Sequence, residues 1–311
     1  MNIVILDKDT LGNLDISVLN RFGKVIAYPF TNYEDTVSRA KDADIVLTNK
    51  VVFDENILKE LPNLKLICVT ATGMNNIDLD YAKKLGIEVK NVSGYSTRSV
   101  VEHTFRLALS LIGKLNYYDS YVKDGKWCKS RIFTNLEKEF FEIFGKNWGI
   151  IGLGEIGRGV ARVAQAFGAN VSYYSTSKNP HSNEFEHKNL DELLSSSDIV
   201  SIHAPLNSNT QNLIGKDELN LLKDGAVLLN LGRGGIVDEK ALSWAIDNKN
   251  ILVGLDVTKS EPIECENPLL KVKKKENLII TPHIAWGTKE ARAKLLEGVV
   301  KNIEEFLKNE R

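Results

Sequence analysis

The chain has 311 residues, with 40 basic and 41 acidic side chains and a net charge of -1, so no global field draws it to nucleic acid or to an anionic membrane. That length is generous for one domain and comfortable for two, with a ligand cleft expected between the lobes. A hydrophobic fraction of 43% beside 26% charged residues is enough for two cores and excludes disorder. Three widely spaced cysteines, Cys68, Cys128 and Cys265, fit neither a disulfide framework nor a zinc site and point to a reducing cytoplasm. No metal site is expected. The lysines at 271, 273, 274 and 275 are broken by Val272 and followed by Glu276, which reads as a solvated loop.

The N-terminus opens on a strand-like stretch at 2–7, without the basic flank and small-residue cleavage site of an export signal. No apolar run is long enough to span a bilayer. Strands are predicted at 3–6, 44–48, 64–69 and 87–90, with helices near 14–21, 32–40 and 79–85. Residues 99–121 form a long, mostly apolar helical pattern that opens on Ser99 and Glu102 at the spacing of a capping box. Such a helix must be buried, against its own domain or a second subunit. A second alternating series follows, with strands predicted at 148–152, 171–174, 199–203, 226–231, 251–256 and 278–281. An amphipathic tail helix at 288–307 is placed to return to the first lobe. The expected fold is therefore α/β with two doubly wound domains. A Rossmann-type cofactor domain (97–286) is inserted into a smaller flavodoxin-like substrate domain (1–96 and 287–311).

The strongest local motif is Gly152-Leu-Gly154-Glu155-Ile156-Gly157, set between an apolar strand and a helix. The first glycine permits the tight turn, the second lets backbone approach a pyrophosphate, and the third lets helix and strand pack closely. The amides and positive helix end at Glu155, Ile156 and Gly157 then receive phosphate. Where NAD enzymes place an acid on the adenosine ribose, this chain has Ser175, with Lys178 nearby. Without a carboxylate to repel a 2′-phosphate, either NAD or NADP fits, with a lean to NADP.

Three later segments place polar groups at strand ends: Arg233 in a glycine turn, Asp256 and Glu261 ahead of Pro262, and Thr281-Pro-His283. Each alone is an ordinary loop residue, but together they suit carbonyl reduction, with Arg233 holding a carboxylate and His283 supplying a proton. A nearby Glu261 would orient the imidazole and favour its charged form. At these residues the chain resembles the D-isomer-specific 2-hydroxyacid dehydrogenases, along nearly its whole length. The resemblance implies that Arg233, Glu261 and His283 are catalytic, that Asp256 contacts the nicotinamide carboxamide, and that Pro205, in His203-Ala-Pro205, lies beside the cofactor. It also implies that Lys50, Thr72, Gly73 and Met74 meet the substrate together with Arg233 and His283. Backbone amides near Gly73 would form an anion nest, although the same stretch also reads as a turn in which Asp78 caps a helix.

Asn49-Lys50, the stretch from Gly94 to Phe105 and that from His283 to Arg292 resemble the glycerate dehydrogenase (hydroxypyruvate reductase) branch. A small 2-oxo acid such as hydroxypyruvate or glyoxylate is therefore the expected substrate, and a homodimer the expected assembly. Arg98 and residues 131–144 depart from the pattern. His103, His181, His187 and His203 read as structural or solvated. The competing readings are an NAD-sensing regulator of the same fold, a dehydrogenase for another 2-oxo acid, or a formate dehydrogenase, in which glutamine takes the place of Glu261.

Overall fold

A computed structural model describes residues 1–177 and 182–309, and the chain divides into two compact units, Met1–Ser96 with Gly287–Arg311, and Thr97–Trp286. In the first unit, strands β1 (Asn2–Ile5), β2 (Lys24–Ala27), β3 (Ile45–Thr48), β4 (Leu66–Val69) and β5 (Glu88–Lys90) form a parallel sheet of order β2-β1-β3-β4-β5. The Ile, Val and Leu runs of β3 and β4 are buried throughout, as expected of central parallel strands covered on both faces. Strand β2 was not anticipated. It is a largely exposed edge strand, and without two buried faces it carries no apolar signature. The helix expected at 14–21 is a 3-10 turn, Ser17–Phe22. The C-terminal helix Lys289–Asn309 buries Ala291, Leu295, Val299, Ile303 and Phe306 at helical spacing. It comes so close to the end of β5 that a Cβ on Gly298 would lie 2.4 Å from Val92.

Among its described residues the second unit holds seven parallel strands: β6 (Asn147–Ile151), β7 (Asn170–Tyr174), β8 (Glu186–His187), β9 (Ile199–Ile202), β10 (Val227–Asn230), β11 (Leu252–Leu255) and β12 (Leu278–Ile280). Their order is β12-β11-β10-β9-β6-β7-β8. The chain thus reverses direction across the sheet between β6 and β9, the switch point at which doubly wound folds bind ligands. Trp148, Ile150 and Leu229 pack with helices Thr97–Ile112 and Glu155–Ala166 on one face, while Ile151, Val200 and Leu228 pack on the other. Trp148 donates to Ser201 Oγ at 2.9 Å, so its indole N–H is satisfied within the core.

The long helix expected at 99–121 is two helices. Lys114 adopts a left-handed conformation (φ 51) and separates Thr97–Ile112 from Leu115–Lys123. The first buries its apolar stripe in its own unit, and the second has no buried residue. Ser99 and Glu102 do not form a capping box. Ser99 lies inside the helix and donates to the Ala285 carbonyl, while Glu102 pairs with Arg106 one turn on. A box with Ser99 as N-cap requires the helix to start at Val100, but it starts three residues earlier, at Thr97. Among the described residues no helix is long and apolar enough to cross a membrane.

Candidate active site

The glycine motif leaves β6 at the switch point. Gly152 takes φ +92 and a Cβ there would lie 3.0 Å from the Ala204 backbone, so only glycine fits the turn. At Gly157 a Cβ would fall 2.2 Å from the Gly152 carbonyl oxygen, whereas at Gly154 it would meet nothing within 4 Å. The loop is tight toward the protein and open on one side. Gly154 caps helix Glu155–Ala166 without any side-chain hydrogen bond, so the first-turn amides at Glu155, Ile156 and Gly157 remain available to an anion. These residues fit a dinucleotide pyrophosphate.

Beyond β7, Ser175 is 1% exposed and its hydroxyl lies 2.9 Å from that of Ser177. The exposed hydroxyl at this strand end belongs to Ser177. Arg158 reaches the next turn, bonding Ser182 Oγ at 3.1 Å and Glu184 at 3.2 Å. Lys178 and His181 lie outside the described residues. After β9, Pro205 is exposed and its carbonyl accepts from Thr210 Oγ1. The ring nitrogens of neighbouring His203 are shielded from solvent and have no partner among the described residues. Burial pushes the His203 pKa down to about 3, so the ring is neutral at ordinary pH.

The loops after β10, β11 and β12 lie side by side, because Asp256 N bonds Asn230 O and Thr281 N bonds Leu255 O. Asn230 shapes the Arg233 turn by accepting from Gly232 N and donating to Arg233 O. Exposed Arg233 donates to the Gly232 carbonyl at 2.8 Å and has no carboxylate partner among the described residues. His283 Nδ1 lies 2.7 Å from Glu261 Oε2. A carboxylate only accepts, so Nδ1 carries hydrogen, and Nε2, which has no protein partner among the described residues, is left to exchange a proton.

His283 also has a left-handed backbone (φ 53), a conformation that costs a non-glycine residue about 1 kcal/mol or more unless its surroundings impose it. Asp256 imposes it. Its carbonyl accepts from His283 N, its Oδ1 from Thr281 Oγ1 at 2.6 Å and Ile284 N at 2.9 Å, and its Oδ2 from Ala285 N at 2.9 Å. His103 Nε2 completes the strap 3.0 Å from Thr281 Oγ1. The Thr281 hydroxyl hydrogen points at Asp256, so His103 must be the donor, through Nε2–H. Burial lowers the His103 pKa, partly opposed by Asp256 and assisted by Arg106. Sequence reasoning missed the tie between His103 and Thr281, because 178 residues separate them.

In the first unit, Lys50 is exposed just beyond β3. The amides of Thr72, Gly73 and Met74 have no hydrogen-bond acceptor among the described residues. The Thr72 carbonyl accepts from Asn91 Nδ2 and its hydroxyl donates to Val92 O. Met74 packs on the core of this unit. Asp78 does cap helix Leu79–Lys84, accepting from Tyr81 N at 2.9 Å, and this is compatible with a run of free amides just before it. Among the described residues no cluster of side chains is suited to hold a metal.

An open phosphate cradle at a switch point meets what a dinucleotide needs, and an imidazole with one nitrogen pinned and the other free meets what proton transfer alongside hydride needs. The class these two features define is the nicotinamide-dependent dehydrogenases. The chain belongs to the D-isomer-specific 2-hydroxyacid dehydrogenase family: residues 105–285 match the family described as "D-isomer specific 2-hydroxyacid dehydrogenase, NAD binding domain". It is accordingly an oxidoreductase with a nicotinamide cofactor. It is 39% identical to a hydroxypyruvate reductase of Blautia hydrogenotrophica, over 99% of this chain and 97% of the relative. Among solved structures it resembles D-lactate dehydrogenase from Aquifex aeolicus complexed with NAD and lactic acid, with TM-score 0.85 and 30% identity over 99% and 96% of the two chains. It also resembles an acyclic imino acid reductase in complex with NADPH and D-Arg, with TM-score 0.86 and 30% identity over 99% and 98%.

Proposed function

We propose that the protein reduces a small 2-oxo acid, hydroxypyruvate or glyoxylate, to the corresponding 2-hydroxy acid (D-glycerate from hydroxypyruvate), with His283 as the acid. The observation that carries this reading is the 2.7 Å pairing of His283 with Glu261, which leaves Nε2 free. A dihydronicotinamide dinucleotide held by the loop at 152–157 would supply the hydride for the carbonyl carbon. Protonated His283 gives the Nε2 hydrogen to the developing alkoxide and becomes neutral, and solvent restores the proton. Glu261 fixes the ring by accepting from Nδ1. The guanidinium of Arg233, which has no carboxylate partner among the described residues, holds the substrate carboxylate and polarises the carbonyl. The free amides of Thr72, Gly73 and Met74, with Lys50, supply the anion-binding surface of the first unit.

Asp256 is 1% exposed and its carboxylate already accepts three hydrogen bonds. Its geometry therefore favours holding the His283 loop, ahead of the nicotinamide contact that the resemblance implies. The pyrophosphate belongs on Gly152, Gly154, Glu155, Ile156 and Gly157, with Pro205 and the Ser175 turn alongside. The reading favours NADPH because the turn offers hydroxyls and no repelling carboxylate at residues 175–177. Ser177→Asp is expected to shift preference toward NADH severalfold, and an unchanged ratio of NADPH to NADH turnover would count against this placement.

The deciding experiment follows NADH and NADPH consumption with hydroxypyruvate, glyoxylate, pyruvate and longer 2-oxo acids. Turnover is expected to be best with the first two, and absence of turnover with all of them would sink the proposal. The exposed Leu115, Trp127, Ile132, Phe133, Leu136 and Phe140 form an apolar stretch that supports a homodimer. Sedimentation of wild type against Phe133→Asp tests that assembly. Cysteines without disulfides accord with a cytoplasmic setting.

A further inference from the structure

The sheet order of the first unit places its own switch point between β1 and β3, where doubly wound folds receive an anionic ligand. Here that place holds an internal anion. Asp7, just past β1, is 4% exposed, and its carboxylate accepts from Asn49 N at 3.0 and 2.8 Å, Lys50 N at 2.8 Å and Thr48 Oγ1 at 3.1 Å. Asp7 has no ion-pair partner among the described residues. Burying a carboxylate without a counter-ion is costly, and stability alone would favour a neutral group. The hydrogen bonds it collects all come from the last residue of β3 and the loop that follows, and that loop carries Lys50.

The network continues from there. Asn49, 8% exposed, donates from Nδ2 to the Thr70 carbonyl at 3.2 Å, at the head of the segment whose amides at 72–74 are free. Asn76 Nδ2 donates to Val51 O at 2.8 Å and ties the far end of the same segment to the Lys50 loop.

We propose that Asp7 is a positioning residue for substrate recognition: its carboxylate occupies the switch point of the first unit and thereby sets the place of Lys50 and, through Asn49, of the loop at 70–74. The inference rests on Lys50 and the 72–74 amides meeting the substrate. Asp7 itself touches no reacting atom. It acts by fixing groups that bind the substrate equally in ground and transition states, so its loss should appear in KM.

The test is a double-mutant cycle on the full chain with hydroxypyruvate. Asp7→Asn keeps the shape but turns an amide N–H toward backbone donors. It should raise KM about tenfold, change kcat by less than about threefold and leave the NADPH Kd unchanged, because the cofactor cradle belongs to the other unit. In a Lys50→Met background the same change should raise KM by only about threefold, the part that acts through the loop at 70–74. An unchanged KM, a loss confined to kcat, or full additivity with Lys50→Met would overturn the proposal. If Lys50→Met leaves KM unchanged while Asp7→Asn raises it, the assignment of Lys50 fails and the proposal falls with it. If Lys50→Met raises KM and Asp7→Asn does not, only the positioning role is lost. Should Asp7→Asn not fold, Asn49→Ala cuts the link to Thr70 alone. A KM rise of about threefold or more supports the network, and an unchanged KM refutes it.

Discussion

The two units solve the same local problem with the same parts. In the first, a buried aspartate accepts from a threonine hydroxyl and two consecutive amides (Asp7 with Thr48, Asn49 and Lys50). In the second, Asp256 does so with Thr281, Ile284 and Ala285. A short carboxylate can bond several donors at once, and this makes it an effective clasp for a loop that must hold one shape. The units differ in what the clasped loop presents and in what the switch point is left free to do. The first unit presents an ammonium and fills its switch point with its own carboxylate. The second presents an imidazole in a left-handed conformation and keeps its switch point open at Gly154. On the proposed reading, the doubly wound plan thus yields an anion-binding wall in one case and a dinucleotide cradle with a proton donor in the other, and the difference lies in strand-end residues.

If this division of labour holds, damage to the second unit should reach chemistry and cofactor, and damage to the first should reach substrate affinity. The largest effect is expected from His283→Ala, which should lower kcat for reduction about 10³-fold or more while NADPH binding stays within about twofold. Loss of cofactor binding would instead make His283 structural. Gly157→Ala follows: its methyl group would overlap the Gly152 carbonyl, and the NADPH Kd should rise about 100-fold, read by fluorescence titration. Thr281→Val removes the hydroxyl between His103 and Asp256 and should cost about tenfold in kcat with KM little changed. Thr48→Val, its counterpart in the first unit, should move KM instead. A kcat effect from both would erase the distinction.

The smallest effect concerns acid. The histidines of the described residues, His103, His187, His203 and His283, lie within the second unit. His203 is held near pKa 3 in the folded protein, against 6.5 as the ordinary value. Below pH about 6.5 the unfolded chain therefore binds a proton that the folded chain does not, and stability falls until the pH passes the folded value. Urea unfolding between pH 7 and pH 4 should show up to about 1.4 kcal/mol lost per pH unit from this group. A His203→Leu variant should lose that part of the slope, and an identical slope would show that His203 is not buried as neutral imidazole.

Much of this was legible in the sequence, since alternating apolar runs disclose parallel strands buried on both faces and the glycine spacing discloses a strand-turn-helix cradle. Strand β2 escaped because an exposed edge strand needs no apolar pattern, and the break at Lys114 escaped because a left-handed lysine leaves no mark in composition. Chemical plausibility singled out Arg233, Glu261 and His283, yet only the fold brings Glu261 and His283, 22 residues apart in sequence, to 2.7 Å. Asp7 drew no attention, and Asn49 and Thr281 entered only as parts of the Asn49-Lys50 and Thr281-Pro-His283 motifs, because a buried polar group acquires its role from partners that arrive from other strands. The sequence by itself determined the class of fold, the cofactor cradle and the kind of chemistry, because those depend on local periodicity and on the identity of reactive groups. Only the tertiary structure decided which carboxylates act as clasps, which nitrogen of His283 is free and that Ser175 is turned inward, because hydrogen bonds between distant strand ends are set by sheet order and register.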